Sequence, residues 1–188
     1  KIMNKELLEL VREDCEAHGV ELQLINTRNL RPGVIGAFSY TGKYIRVAMT
    51  APKIDAILAH EYSHMRQWIE KAPVQVNCSP SNFRLLNEFF EKRPVNKFIL
   101  PKAIREIMKL ELDCERRTIA LLEKLNFSRK YINQYTQNAN VHVLSYLVAI
   151  YAPDNNGKTY YKTIEKYFPK TLIDNPEKEF HKYKQYFC

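Results

Sequence analysis

The chain has 188 residues, of which 45% are apolar and 27% charged. These are globular values that exclude disorder and suit one compact domain over residues 1–188. The net charge of +8 implies a basic surface or, more sharply, attraction to nucleic acid or an acidic protein. No stretch approaches the roughly 20 apolar residues of a membrane span. The cysteines Cys15, Cys78, Cys114 and Cys188 form no CxxC pair, which argues against a thiolate zinc site and against a disulfide scaffold. Reduced thiols and a cytoplasmic setting are expected. No signal-peptide apolar core is visible near Lys1, and an opening on lysine in place of methionine suggests a start made by processing or by cloning, so that an upstream segment could be missing from view.

In chain order, residues 4–18 are predicted to form an amphipathic helix carrying Leu7, Leu8, Leu10 and Val11, closed by Gly19. Three β-type runs follow. Val20–Ile25 alternates in part, and Val34–Tyr40 and Lys43–Met49 flank Thr41-Gly42, a plausible hairpin turn. Thr50-Ala51-Pro52 opens a helix with Thr50 as its cap, running to about Lys71 before Pro73. Residues 74–80 read as loop, Ser81–Lys92 as helix, and Pro101–Leu125 as a long helix of strong periodicity. Ser128 caps a further helix to about Tyr151, a turn cluster follows at Pro153–Gly157, and Lys158–Phe168 reads as a short helix. The last twenty residues give no clear assignment. The order predicts an α+β fold, a small antiparallel sheet on a helix-rich body, with a core region over about 20–125 and a helical part over about 126–188.

Residues 60–64 read His-Glu-Tyr-Ser-His, an HExxH pattern. On a helix, positions i and i+4 share a face, so His60 and His64 can converge on one ion at about 2.0–2.1 Å. Glu61 is rotated about 100° from His60. It can reach a water on the ion as general base without becoming a ligand. Ile57, Leu58, Met65, Trp68 and Ile69 mark the helix as largely buried, and two histidines and a glutamate in such surroundings need a reason to be there.

A third protein ligand is expected. Gln67 and Glu70 stand where an HExxHxxGxxH pattern would need glycine and histidine, which excludes the all-histidine metzincin arrangement. In the helix over 101–125, Glu111 and Glu115 fall on the apolar stripe of Ile104, Ile107, Met108, Cys114, Ile119 and Leu122. Arg105, Lys109, Asp113 and Arg116 lie on the other side. Carboxylates on a core face need a partner or a metal. Glu111 is the preferred third ligand and Glu115 the alternative. Glu115 otherwise accepts the free ring N–H of a liganding histidine. Donors for a transition-state oxyanion are sought among His142, Tyr146, Tyr160 and Tyr161. Two imidazoles and a carboxylate favour Zn2+.

His60-Glu61-x-x-His64 followed by Glu111-x-x-x-Glu115 resembles the gluzincin-type metallopeptidases, and Glu111–Arg117 is similar to small metallopeptidase domains of phages and large DNA viruses. The resemblance covers roughly residues 34–125. It implies a zincin-like fold and a zinc endopeptidase, with protein or peptide as substrate and a host-cell cytoplasm if the chain is viral. His60, His64 and Glu111 would be ligands, Glu61 the base, and Glu115 the supporting carboxylate, where the family commonly has aspartate. The strand Lys43–Met49 resembles the edge strand that holds extended peptide in zincins. The alternative is a non-catalytic metal-containing binding module, or a peptidase-like protein acting on nucleic-acid-associated partners. Its motive is the charge together with the aromatic-basic tail Phe180–Phe187.

Overall fold

The computed structural model describes residues 3–31, 33–39, 41–151 and 164–187. The chain divides into two compact units, Lys1–Ala72 with Arg117–Phe127, and Pro73–Arg116 with Ser128–Cys188. The architecture is α+β, with a three-stranded sheet and a helix-rich body.

The first unit begins with α1, Lys5–Ala17. The Asn4 side chain accepts from the Leu7 N–H at 2.9 Å and caps the helix. Leu7, Val11 and Cys15, spaced i, i+4, i+8, form its buried stripe. Gly19, at φ +66°, turns the chain out of the helix as expected. The strands are β1 (Glu21–Ile25), β2 (Gly36–Phe38) and β3 (Tyr44–Ala48), in the spatial order β1-β3-β2. β2 runs antiparallel to β3 but β1 runs parallel to it, so the expected antiparallel sheet is in fact mixed. The tight turn through Gly42 makes β2 the hairpin partner of β3, which leaves the opposite side of β3 to accept β1 in parallel. β3 is therefore the central strand, and the expectation that Lys43–Met49 forms a sheet edge is overturned. Alternation on β3 buries Ile45 and Val47 while Arg46 turns to the other face, where its Nε donates to Gln23 Oε1 at 2.7 Å.

The second helix, α2, spans Ile54–Ile69 and packs on α1, β2 and β3. It does not start from a Thr50 cap. Lys53 precedes it in the left-handed region (φ 59°), with no side-chain cap. Asp55 in its first turn is buried and accepts from the Asn4 N–H at 2.7 Å, binding the start of α2 to the start of α1. The unit is completed by residues 117–124, the last part of a 25-residue helix, α5 (Leu100–Lys124).

The second unit contains α3 (Pro73–Asn77), α4 (Pro80–Phe90), the Leu100–Arg116 part of α5, α6 (Arg129–Tyr151) and α7 (Pro176–Tyr183). α3 lies where a loop was expected; proline opens a helix as readily as it ends one, and Val74 packs against the buried Cys78 and Leu86 cluster. Ser128 caps α6 as expected, its Oγ accepting from the Tyr131 N–H at 3.3 Å. One core cluster joins Met108 and Leu112 of α5, Val141, Leu144 and Leu147 of α6, and Phe168, Phe180 and Phe187. The turn cluster at 153–157 lies outside the described residues, as does most of the helix expected over 158–168; its described end is one 3-10 turn at Glu165–Tyr167. The C-terminal segment resists assignment by pattern because α7 has only eight residues, yet it starts by the usual chemistry: Asn175 accepts from the Lys178 N–H, and Pro176 fills the first turn. Phe180 and Phe187 of the aromatic-basic tail are buried among other rings, so they offer no open faces for stacking bases. No described helix is long and apolar enough to cross a membrane.

Candidate metal centre

The HExxH segment lies wholly within α2. His60 and His64 are half-buried one turn apart, with ring centroids 4.8 Å apart and planes at 86°. Glu61 between them is 8% exposed. The two intervening residues set the rotation of the helix. Tyr62 donates its hydroxyl to Asp14 Oδ2 on α1 at 2.9 Å, and burial together with that hydrogen bond pushes its phenol well above the usual range. Ser63 donates to the Ala59 carbonyl at 2.8 Å and accepts from Thr118 Oγ1 of α5 at 3.0 Å. With Tyr62 held by α1 and Ser63 by α5, the two histidines are confined to the remaining side of the helix.

Gln67, fully buried, places Oε1 2.8 Å from His64 Nδ1. A carbonyl oxygen only accepts, so this pairing keeps the proton on Nδ1 and leaves the Nε2 lone pair for a ligand. Sequence reasoning used Gln67 only to exclude another ligand pattern. Its position three residues after His64, one helical turn on, was the signal that it supports the ring. A second residue that reasoning passed over is Gly36 on β2. A Cβ built there would lie 2.6 Å from Glu61 Oε1 and 2.6 Å from Ile57 Cγ2.

Arg66 and Glu70 extend the helix into a charged network. Arg66 donates to Asp14 Oδ2 at 3.0 Å and to Glu70 Oε1 at 2.9 Å, and Arg117 donates to Glu70 Oε2 at 2.6 Å. The Arg117 hydrogen bond, ahead of that from Arg66, holds the Glu70 carboxyl below its ordinary range against the upward push of burial.

On α5, Glu111 and Glu115 are 5% and 3% exposed, on the buried stripe as the periodicity indicated. Glu115 accepts from the Nδ1–H of His142 at 3.1 Å and from the Tyr135 hydroxyl. Glu111 Oε2 lies 4.0 Å from the same His142 nitrogen. His142 Nε2 is in turn 3.2 Å from the Tyr146 hydroxyl. The expected oxyanion donors His142 and Tyr146 are thus hydrogen-bonded to one another, while Tyr160 and Tyr161 lie outside the described residues.

Cys114 lies on the same stripe, between the two glutamates, and is a buried thiol outside any disulfide. His60, His64 and Cys114 each offer one ligand atom, all within 4.8 Å of one another, and the three could hold a metal ion. The chemistry of two imidazoles with a thiolate or carboxylate fits zinc. Dismissing thiolate ligation for want of a CxxC pair overlooked Cys114, because ligands can converge from separate helices. The visible signal was its place on the stripe, three residues after Glu111. No protein-family model matches this chain, and no curated protein or solved structure matches it.

Proposed function

We propose that the chain is a zinc-dependent metallopeptidase, with His60, His64 and Glu111 as ligands and Glu61 as general base. The observation that carries this reading is the HExxH face of α2. Two half-buried imidazoles stand one turn apart, the His64 tautomer is set by Gln67, and a buried carboxylate lies between them. That set of groups serves metal-assisted hydrolysis better than any packing role. Glu111 is favoured as third ligand because a buried carboxylate is stabilised by a cation, and a His-His-Glu set leaves a fourth position open. Glu111 and Thr118 share a face of α5, seven residues apart, and Thr118 is hydrogen-bonded to Ser63 in the motif. A second reading substitutes Cys114 for Glu111, favoured by the grouping of its thiol with both histidines.

Zinc, when bound, supplies Lewis-acid activation of water and of the scissile carbonyl. The chain's own residues do the rest. Glu61 takes a proton from the attacking water and returns it to the departing amine. Glu115 holds His142 through its Nδ1–H, and the Tyr146 hydroxyl donates its one proton to His142 Nε2; Tyr146 would serve a developing oxyanion only by turning that proton away from the ring. Substrate pairs in extended form with β2, which among the described residues is bonded to the sheet on one side only. The test is Glu61→Gln assayed on fluorogenic peptides. Zinc content should be retained while cleavage falls by about 10²–10⁴-fold; unchanged cleavage refutes the mechanism.

A further inference from the structure

Glycine inside a strand weakens it unless the position needs a special backbone angle or a close approach. Gly36, the first residue of β2, is not among the positive-φ glycines, which are Gly19, Gly33 and Gly42 among the described residues. Its backbone is therefore one that alanine adopts freely. Space is what forbids a side chain. A Cβ at residue 36 would come within 2.6 Å of Glu61 Oε1, 2.9 Å of Glu61 Cγ and 2.6 Å of Ile57 Cγ2. Real Cβ atoms do not approach other heavy atoms that closely, so one partner must yield. β2 itself is held by its ladder to β3, with Gly36 opposite Val47. The atoms that must give way are side-chain atoms of Glu61 and Ile57, both on α2.

We infer that Gly36 is a positioning residue: the bare backbone of β2 forms the wall against which the Glu61 carboxylate is seated. A side chain at residue 36 meets the Glu61 carboxylate and Ile57, and none of its three nearest atoms belongs to His60, His64 or Gln67. This rests on the proposed role of Glu61 for its catalytic consequence, but the seating itself is a packing statement that holds whether or not the chain is a peptidase.

The experiment has two arms. In the first, Gly36→Ala is assayed on fluorogenic peptides. A displacement of about 1 Å costs on the order of 10²-fold in kcat, and KM and zinc stoichiometry should stay near wild type. In the second, thermal unfolding compares the effect of Gly36→Ala in two inactive backgrounds. Glu61→Gln keeps the shape of the side chain and Glu61→Ala removes it. Gly36→Ala should lower Tm by several degrees in the Glu61→Gln background and by less than about half as much in the Glu61→Ala background. If Gly36→Ala alone does not fold, its combination with Glu61→Ala should. Equal Tm losses in the two backgrounds, or failure of that combination to fold, overturn the inference. So does wild-type kcat in Gly36→Ala. A wild-type chain that binds zinc but cleaves no peptide refutes the peptidase reading instead, and the unfolding comparison then decides on Gly36 alone.

Discussion

Replacing Gln67 by methionine removes the acceptor that orients His64 while nearly preserving side-chain volume. In the native chain the Gln67 oxygen is 2.8 Å from His64 Nδ1, and the side chain is fully buried. Water cannot take the place of the lost acceptor without opening the core. Two effects then act on metal binding. The His64 ring loses the bond that holds the proton on Nδ1, so part of the population presents a protonated Nε2. The ring also gains rotational freedom that binding must remove. Carboxylates or carbonyls behind a liganding histidine are worth about 10–100-fold in metal affinity, which corresponds to about 1.4–2.8 kcal/mol. Stability without metal should change less, by about 1 kcal/mol, since the methionine side chain fills the same volume. Zinc affinity is read by competition with a chromophoric chelator, and stability of the metal-free chain by urea unfolding. A zinc affinity within about threefold of wild type would refute the claim that Gln67 orients a ligand. A loss of stability as large as the loss of affinity would show a packing role instead.

Glu111→Ala should weaken zinc binding by at least about 100-fold, whereas Cys114→Ala should leave it within a few-fold. Cobalt-substituted protein should accordingly lack a thiolate-to-metal absorption band; a strong band abolished by Cys114→Ala would assign the third ligand to the thiol. Arg117→Ala should cost no more than about 1 kcal/mol at neutral pH, because Arg117 and Glu70 are 31% and 40% exposed and solvent screens the pair. The Glu70 carboxyl is held below its ordinary range in the folded chain. Its contribution is therefore complete above the ordinary carboxylate pKa of about 4 and disappears as pH falls through the lower folded value. Urea midpoints of the two proteins should converge on acidification, and a gap that widens instead would contradict that sign.

Local patterns carried much of the architecture. The i, i+4 spacing of Leu7 with Val11 and of Glu111 with Glu115 marks helix faces, and the structure buries those faces. Caps at Asn4 and Ser128 act within three residues of their own position, so short-range chemistry decides them. The HExxH spacing likewise needs only one turn of helix to bring His60 and His64 together. Some failures were local, as where Pro73 opens α3, and others involve a neighbour distant in sequence. Thr50 looked like a cap, but α2 starts after Lys53, and Asp55 of its first turn is tied to Asn4, 51 residues earlier at the start of α1.

The pairing of β3 with β1 in parallel is equally a long-range choice, since alternation states which residues are buried and is silent about the strand alongside. Composition and periodicity by themselves determined an α+β chain, a helix bearing His60, Glu61 and His64, and a second helix with glutamates on its buried face. Only the tertiary structure decided that β3 is central and β2 lies against Glu61. It alone grouped the Cys114 thiol with the two histidines as a possible ligand, whereas the Gln67–His64 pair lies within one turn of α2. Helix faces follow from bond geometry repeated along the chain, whereas the partner of each face depends on how remote segments exclude water and one another.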